Sequence, residues 1–363
     1  MKGVIEPEFW AGKNVLLTGH TGFKGSWLCE VLLHLGAKVH GVALAPDSRP
    51  SLFEALDLKN RITQHEIGDI RTPEVLQTAF ARTQPDVAIH MAAQPIVSVG
   101  YEDPVGTFST NVMGTAHFLE AARELAADIP LLVVSSDKCY RNPETGAAFT
   151  EDSPLGGKDP YSASKAGTEL VCEAYRASFF RQEGTPRMAS ARAGNVIGGG
   201  DWCVNRLVPD MARAFAAGET VVIRSPSSTR PWQHVLEPVV GYLLCVQALA
   251  DDRGFARAWN FGPSPEEIQP VSEVVRAMAA AWGPDARVRI DETQKNFAEA
   301  QTLVLDGTAI QGALNWRTRL TFEEAVAWSA AWYKSFYTAP DSAGDMTRDQ
   351  IRHYLTLAGS QNG

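Results

Sequence analysis

A chain of 363 residues, 45% apolar and 21% charged, is globular in composition and long enough for about two domains. Its net charge of −9 contains no long run of lysine or arginine, which argues against nucleic acid or an anionic membrane as the main partner. The five cysteines (Cys29, Cys139, Cys172, Cys203 and Cys245) show no Cys-x-x-Cys pair and no metal-ligand spacing, so no metal site is expected.

The first thirteen residues lack the apolar core of a signal peptide, and no stretch of about 18 apolar residues is present to span a bilayer. A soluble, cytoplasmic protein with reduced thiols is expected. In chain order, Asn14–Thr18 reads as a buried first strand, followed by a glycine-rich turn. Leu28, Val31, Leu32 and Leu35 then recur at helical spacing, with Gly36 as a stop. Further strands are predicted at Val39–Leu44, His65–Ile70, Val87–Met91 and Leu131–Ser135. Helices are predicted at Pro73–Arg82, Asn111–Leu125, Tyr161 towards Phe180, and Thr347–Leu357. This alternation predicts an α/β fold, a Rossmann-type doubly wound parallel sheet. Beyond Arg187 the pattern loses regularity, punctuated by Gly198-Gly199-Gly200, Pro226 and Pro231. A dinucleotide-binding domain is therefore placed at 1–190, with segments near 236–262 returning to it. A smaller, discontinuous substrate-binding domain takes most of 191–363. Trp328 and Trp332, in a helical stretch, read as core packing.

Thr18-Gly19-His20-Thr21-Gly22-Phe23-Lys24-Gly25 joins the first strand to the first helix. Glycines at this place permit a tight turn and close approach of backbone to a pyrophosphate, while the helix N-terminus offers free N–H groups. An acidic residue normally ends the second strand and takes the ribose hydroxyls. Here that strand ends Ala43-Leu44-Ala45, with Asp47 the nearest acid, and Lys24 and Arg49 raise a 2′-phosphate and hence NADP as an alternative. Asp69, in Gly68-Asp69-Ile70-Arg71, reads equally as an adenine contact and as a turn cap.

Tyr161-Ser162-Ala163-Ser164-Lys165 puts a phenol and an ammonium on one helix face. The lysine charge, with a positive nicotinamide ring, would favour the phenolate and make a proton acceptor for a hydroxyl whose carbon loses hydride. Ser136, in Ser135-Ser136-Asp137-Lys138 at the end of the fifth predicted strand, is placed to hydrogen-bond the reacting oxygen, since open α/β sheets bind ligands at such strand ends.

With these residues, His90-Met91-Ala92-Ala93-Gln94 and Asn111-Val112-Met113-Gly114, the chain resembles the extended short-chain dehydrogenase/reductases. More narrowly it resembles the CDP-glucose 4,6-dehydratases, through Gly19 to Trp27, Ser136 to Tyr140, Arg192 to Trp202 and Arg230 to Val235. The resemblance implies NAD rather than NADP, a nucleotide-sugar substrate and a homodimer. It implies cofactor contacts from Gly19, Thr21, Gly22, Phe23, Lys24, Gly25, Asp69, Ile70, Ala92, Ala93, Asn111, Tyr161 and Lys165. Gln94, Asn195, Arg206 and Arg230 are the expected substrate contacts, the last three for the pyrophosphate. In such dehydratases Tyr161 would take the C4 hydroxyl proton, Lys138 the C5 proton, and a protonated Asp137 would donate to the departing C6 hydroxyl. Two rivals use the same scaffold: a nucleotide-sugar epimerase, which needs no Asp137-Lys138 pair, and an NADPH-dependent carbonyl reductase, which would consume cofactor. A dinucleotide-sensing regulator would need neither Tyr161 nor Lys165. His90 and His234 read as structural or orienting residues, Trp202 as core or a base-stacking residue, and the role of Glu299 stays open.

Overall fold

The computed structural model describes residues 3–223, 225–263, 267–291 and 303–360; Glu299 lies outside them. Thirteen strands occur among these residues. Six come before the chain leaves the first lobe: β1 (Asn14–Thr18), β2 (Lys38–Ala43), β3 (Gln64–Ile67), β4 (Val87–His90), β5 (Pro130–Val134) and β6 (Arg187–Ala193). They are followed by β7 (Val196–Ile197), β8 (Thr220–Ile223), β9 (Thr229–Arg230), β10 (Gln233–His234), β11 (Ala258–Phe261), β12 (Gln269–Pro270) and β13 (Arg287–Ile290).

The main sheet runs β11-β6-β5-β4-β1-β2-β3, with every pairing parallel. The strand order reverses between β1 and β4, and ligands bind at such a switch point, outside the carboxyl ends of the strands. Burial on both faces explains the uninterrupted apolar runs of the central strands: Val15 and Leu17 enter one core layer, Leu16 the other. Helix Leu236–Asp251, almost wholly buried, brings the chain back from the second lobe to lay β11 beside β6.

The second lobe contains three two-stranded pairings, β7 with β10, β9 with β12 and β8 with β13. Helices Leu207–Ala216, Val271–Trp282 and Phe322–Thr338 pack around them. The lobes meet through residues that look like a binding motif in the sequence. Trp27, on helix Phe23–His34, donates its indole N–H to the Gly199 carbonyl at 3.0 Å. Gly199 lies flush on the Trp332 ring, where a Cβ would come within 2.0 Å of it. His234 stands between Trp27 and Trp328, ring centres 5.8 and 5.6 Å away, and burial lowers its pKa to about 3. Trp202 packs on Phe336 and Trp332, at 4.8 and 5.7 Å. All four act as core.

Two predicted elements differ in detail. The third strand stops at Ile67, because Asp69 folds back to accept from the Arg71 backbone N–H at 2.9 Å and starts a turn. The helix expected from Asn111 is entered earlier, through Pro104–Phe108, and widens into a π-turn at Ser109–Met113 before Gly114–Leu125. The Asn111 carbonyl there accepts from both the Thr115 and Thr168 hydroxyls, at 2.7 and 2.8 Å. Such turns often mark functional positions. No described helix is long and apolar enough to cross a membrane.

Candidate active site

The glycine turn after β1 shows why each glycine is there. Gly19 has φ +78° and lies so close to the next loop that a Cβ would be 2.6 Å from the Ala92 nitrogen. A Cβ on Gly25 would be 2.1 Å from the Gly19 carbonyl oxygen. Gly22 differs: its backbone is ordinary, at φ −76°, and a Cβ would meet only the Gly19 oxygen, at 3.5 Å. Protein packing therefore explains Gly19 and Gly25 but not Gly22. The bare Gly22 leaves space at the N-terminus of a twelve-residue helix that has no side-chain cap and no acid in its first turn. That space suits an anion, and a dinucleotide pyrophosphate fits it.

The wall opposite is fixed by a buried chain of hydrogen bonds. Thr18 Oγ1 accepts from the backbone of Met91 and Ala92, both at 3.1 Å, and donates to His90 Nδ1 at 2.8 Å. His90 Nε2 meets Thr115, whose hydroxyl is already committed as a donor, so His90 carries its proton on Nε2. Burial and the Lys165 charge lower its pKa to about 3, which makes it an orienting residue.

At the adenosine end no carboxylate closes β2. The Leu44 carbonyl accepts from Thr21 Oγ1 at 2.9 Å, and Asp69 is held by a fork of bonds from Arg71. Of its two readings, the turn cap is what the Asp69 carboxylate does here. Ile70 packs on the bare face of Gly114, and Phe23 on that of Gly198. Lys24 is held against Tyr242, on helix Leu236–Asp251, and gives no support to an NADP clamp. Its ammonium lies 3.4 Å from the Tyr242 hydroxyl, partly buried, with its pKa lowered to about 8 by loss of solvent, Arg206 and Lys165. Asp47 and Arg49 line a cavity of about 950 Å³ with Trp202, Cys203 and Tyr337.

The chemical groups converge at the ends of β5 and β6. Ser136 caps a 3-10 turn, Asp137–Cys139, and accepts from the Lys138 N–H at 3.2 Å while donating to Asp137 Oδ1 at 2.9 Å. Helix Pro160–Ser178 starts from an Asp159 capping box, which fixes Tyr161 in its first turn. Ser136 stands beside its phenol and acts against the effect of burial on its pKa, and Lys138 Nζ lies 5.9 Å from its ring centre. Burial raises the Asp137 pKa, so the carboxyl tends to hold its proton; Oδ2 has no partner among the described residues. Gly194 makes room there, since a Cβ would lie 3.1 Å from that oxygen and 2.7 Å from Pro231. The expected phenolate is not the state of the protein alone. Burial raises the Tyr161 pKa to about 12, and the opposing groups are Ser136 and Arg206 rather than Lys165.

Arg206, at the N-terminus of helix Leu207–Ala216, is bound by Asp201 at 2.9 Å, and its charge reaches Tyr161. Arg230 is buried, donates to the Thr229 carbonyl at 2.8 Å and acts on Asp137. The Asn195 side chain follows β6 into the same region, partly buried. Two of the expected contact residues also hold the protein together. The Asn111 amide accepts from the Gln94 N–H at 2.8 Å and donates to the Gln94 carbonyl and Ser164, at 3.0 and 2.8 Å. The Gln94 side chain bonds Thr107 and the Ile96 N–H, at 2.8 and 2.5 Å. Both brace the loop after β4 against the Tyr161 helix.

Sequence reasoning overlooked a buried ion pair behind the site. Glu169 accepts from Arg192 at 2.8 Å, from Ser190 at 2.8 Å and from Ser135. Arg192 continues to Tyr140 at 2.7 Å, and Tyr140 to Asn260, also at 2.7 Å. Tyr161, Lys165 and Glu169 follow at intervals of four, so the same spacing that picked out the lysine also pointed to the glutamate.

The chain is similar to known proteins along most of its length. A family profile described as GDP-mannose 4,6 dehydratase matches residues 16–328. A CDP-glucose 4,6-dehydratase of Salmonella typhimurium is 44% identical over 344 residues, covering 93% of this chain and 95% of its own. A UDP-glucose 4-epimerase of Thermus thermophilus, solved in complex with NAD, superposes with a TM-score of 0.74 at 26% identity, covering 88% of this chain and 98% of its own. A dTDP-glucose 4,6-dehydratase of Streptomyces venezuelae, solved with NAD, gives 0.73 at 22% identity, covering 88% and 97%.

Proposed function

The chain belongs to the GDP-mannose 4,6 dehydratase family, and on that premise we propose that it is a lyase that uses NAD to convert CDP-D-glucose to CDP-4-keto-6-deoxy-D-glucose. One observation carries the reading: Ser136, Asp137 and Lys138, on one strand end, surround the phenol of Tyr161. NAD, when bound, supplies the hydride acceptor and returns the hydride. Gly22 and the helix behind it would hold its pyrophosphate, and Lys165, one helical turn after Tyr161, would bind its nicotinamide ribose.

Tyr161 takes the C4 hydroxyl proton, with Ser136 bonded to the same oxygen. Oxidation at C4 acidifies the C5 proton, which Lys138 removes. Asp137, which burial inclines to stay protonated, donates to the C6 hydroxyl as it departs as water. An epimerase has no use for that acid, and a carbonyl reductase has no use for the base. Arg206, Arg230 and Asn195 supply donors for the substrate pyrophosphate.

A second copy is the proposed partner. Tyr101, Val105, Phe108 and Met113 follow one stripe of the helices at 97–113, and Leu170 lies on the helix that crosses them where Gly167 meets Val112. All five are exposed, Val105 by 78%, and a soluble monomer rarely leaves such a patch bare. Light scattering should give twice 39.4 kDa. Five unpaired cysteines fit a cytoplasmic enzyme.

Incubation with CDP-, dTDP-, UDP- and GDP-glucose, read by mass, tests the activity. CDP-glucose should give a product lighter by one water, without accumulating NADH. A product of unchanged mass would make the protein an epimerase, and stoichiometric NADH would make it a dehydrogenase.

A further inference from the structure

The proposed reaction does not return the enzyme to its starting state. The substrate gives its O4 proton to Tyr161 and its C4 hydride to the cofactor. The C5 proton goes to Lys138, the C6–O bond breaks, and the Asp137 proton completes the water. Hydride then returns to C6 and Lys138 returns a proton to C5. Substrate becomes product plus water, in balance. The enzyme, however, is left with a protonated Tyr161 and an ionised Asp137. One proton must cross from the phenol to the carboxylate before the next turnover.

We propose that Ser136 carries that proton, so that it closes the catalytic cycle as well as binding the reacting oxygen. The inference rests on the dehydratase reading. Its physical basis is placement: Ser136 caps the turn that packs on the Tyr161 helix and stands beside the phenol, and Ser136 Oγ donates to Asp137 Oδ1 at 2.9 Å. The serine therefore passes its own proton on and takes the phenol's in return. The recovered proton arrives on Oδ1, and because Oδ2 has no partner among the described residues, a half-turn of the carboxyl about its Cβ–Cγ bond brings that proton to the departing hydroxyl. Ser136, Asp137 and Tyr161 are 7%, 3% and 7% exposed, so bulk water does not readily serve in its place. The path is two transfers long, phenol to serine and serine to carboxylate. Proton transfer through so short a path outruns chemistry in the wild type.

Ser136→Ala and Ser136→Thr test this in rapid-quench experiments on the NAD-loaded enzyme. In Ser136→Ala the first turnover slows through loss of a bond to O4. Later turnovers should fall by a further factor of about 100 or more, the usual worth of a positioned proton carrier. Added formate or imidazole should accelerate only the later turnovers, and Ser136→Thr should restore them. Infrared difference spectra supply a readout independent of rate. The protonated-carboxyl band, assigned by its loss in Asp137→Asn, should disappear after one turnover of Ser136→Ala and persist in the wild type. Equal slowing of first and later turnovers, or a band that survives in Ser136→Ala, would overturn the relay. If the wild type releases no dehydrated product, the dehydratase reading fails instead.

Discussion

Glu169→Gln replaces a carboxylate with a neutral amide of the same shape inside the wall of the site. Glu169 and Arg192 have side chains only 1% and 5% exposed. The substitution leaves the Arg192 charge buried, with Tyr140 and the Glu151 carbonyl as remaining partners. Removing one partner of such a pair costs about 3–5 kcal/mol. Unfolding entropy is about 2.1 cal/mol/K per residue, or about 0.76 kcal/mol/K for the whole chain if it melts as one unit. The melting temperature should therefore fall by about 4–7 °C in differential scanning calorimetry. The effect should depend on pH in a definite direction. Arg192 and the serine hydroxyls hold the Glu169 pKa below the ordinary carboxylate range, against the opposing effect of burial. A depressed folded pKa contributes stability above the unfolded value of about 4.3, and that contribution is lost as pH falls through the folded value. The gap between wild type and variant should accordingly be full at neutral pH and narrow in acid. Glu169→Leu combined with Arg192→Met should recover part of the loss, because an apolar pair leaves no charge stranded. A change below about 1 °C at neutral pH, or a gap that widens in acid, would refute the account of this pair.

The last two glycines of the turn should separate folding from binding. Gly22→Ala should change stability by less than about 1 kcal/mol yet weaken NAD binding in titration calorimetry, whereas Gly25→Ala should lower the melting temperature outright. Tyr161→Phe should abolish hydride transfer while leaving NAD bound, as read by absorbance of the reduced ring and by retention of the cofactor. Lys138→Ala should still oxidise C4 but not exchange the C5 proton in deuterated water; normal exchange would remove Lys138 from the role of base.

Much of this protein is decided locally. The apolar runs of β1, β4 and β5, the glycines between Thr18 and Gly25, and the fourfold spacing of Tyr161 and Lys165 each work over a few residues, through strand burial, turn sterics and helix pitch. The sequence therefore determined the fold class and the two ends of the site. What a side chain faces was decided elsewhere, because it depends on strands and helices far apart in the chain. Lys24 looked like a phosphate clamp until helix Leu236–Asp251 brought Tyr242 to its ammonium. Trp27, Gly199 and His234 read as a signature, and only the meeting of the two lobes made them a joint. Asn111 and Gln94 are polar residues in a ligand-binding motif, yet they bond one another, since a buried amide takes the partner the fold supplies. The same holds for the acidity of Asp137 and Tyr161. Pairing and periodicity propose the groups, but the depth at which tertiary packing buries them sets their protons.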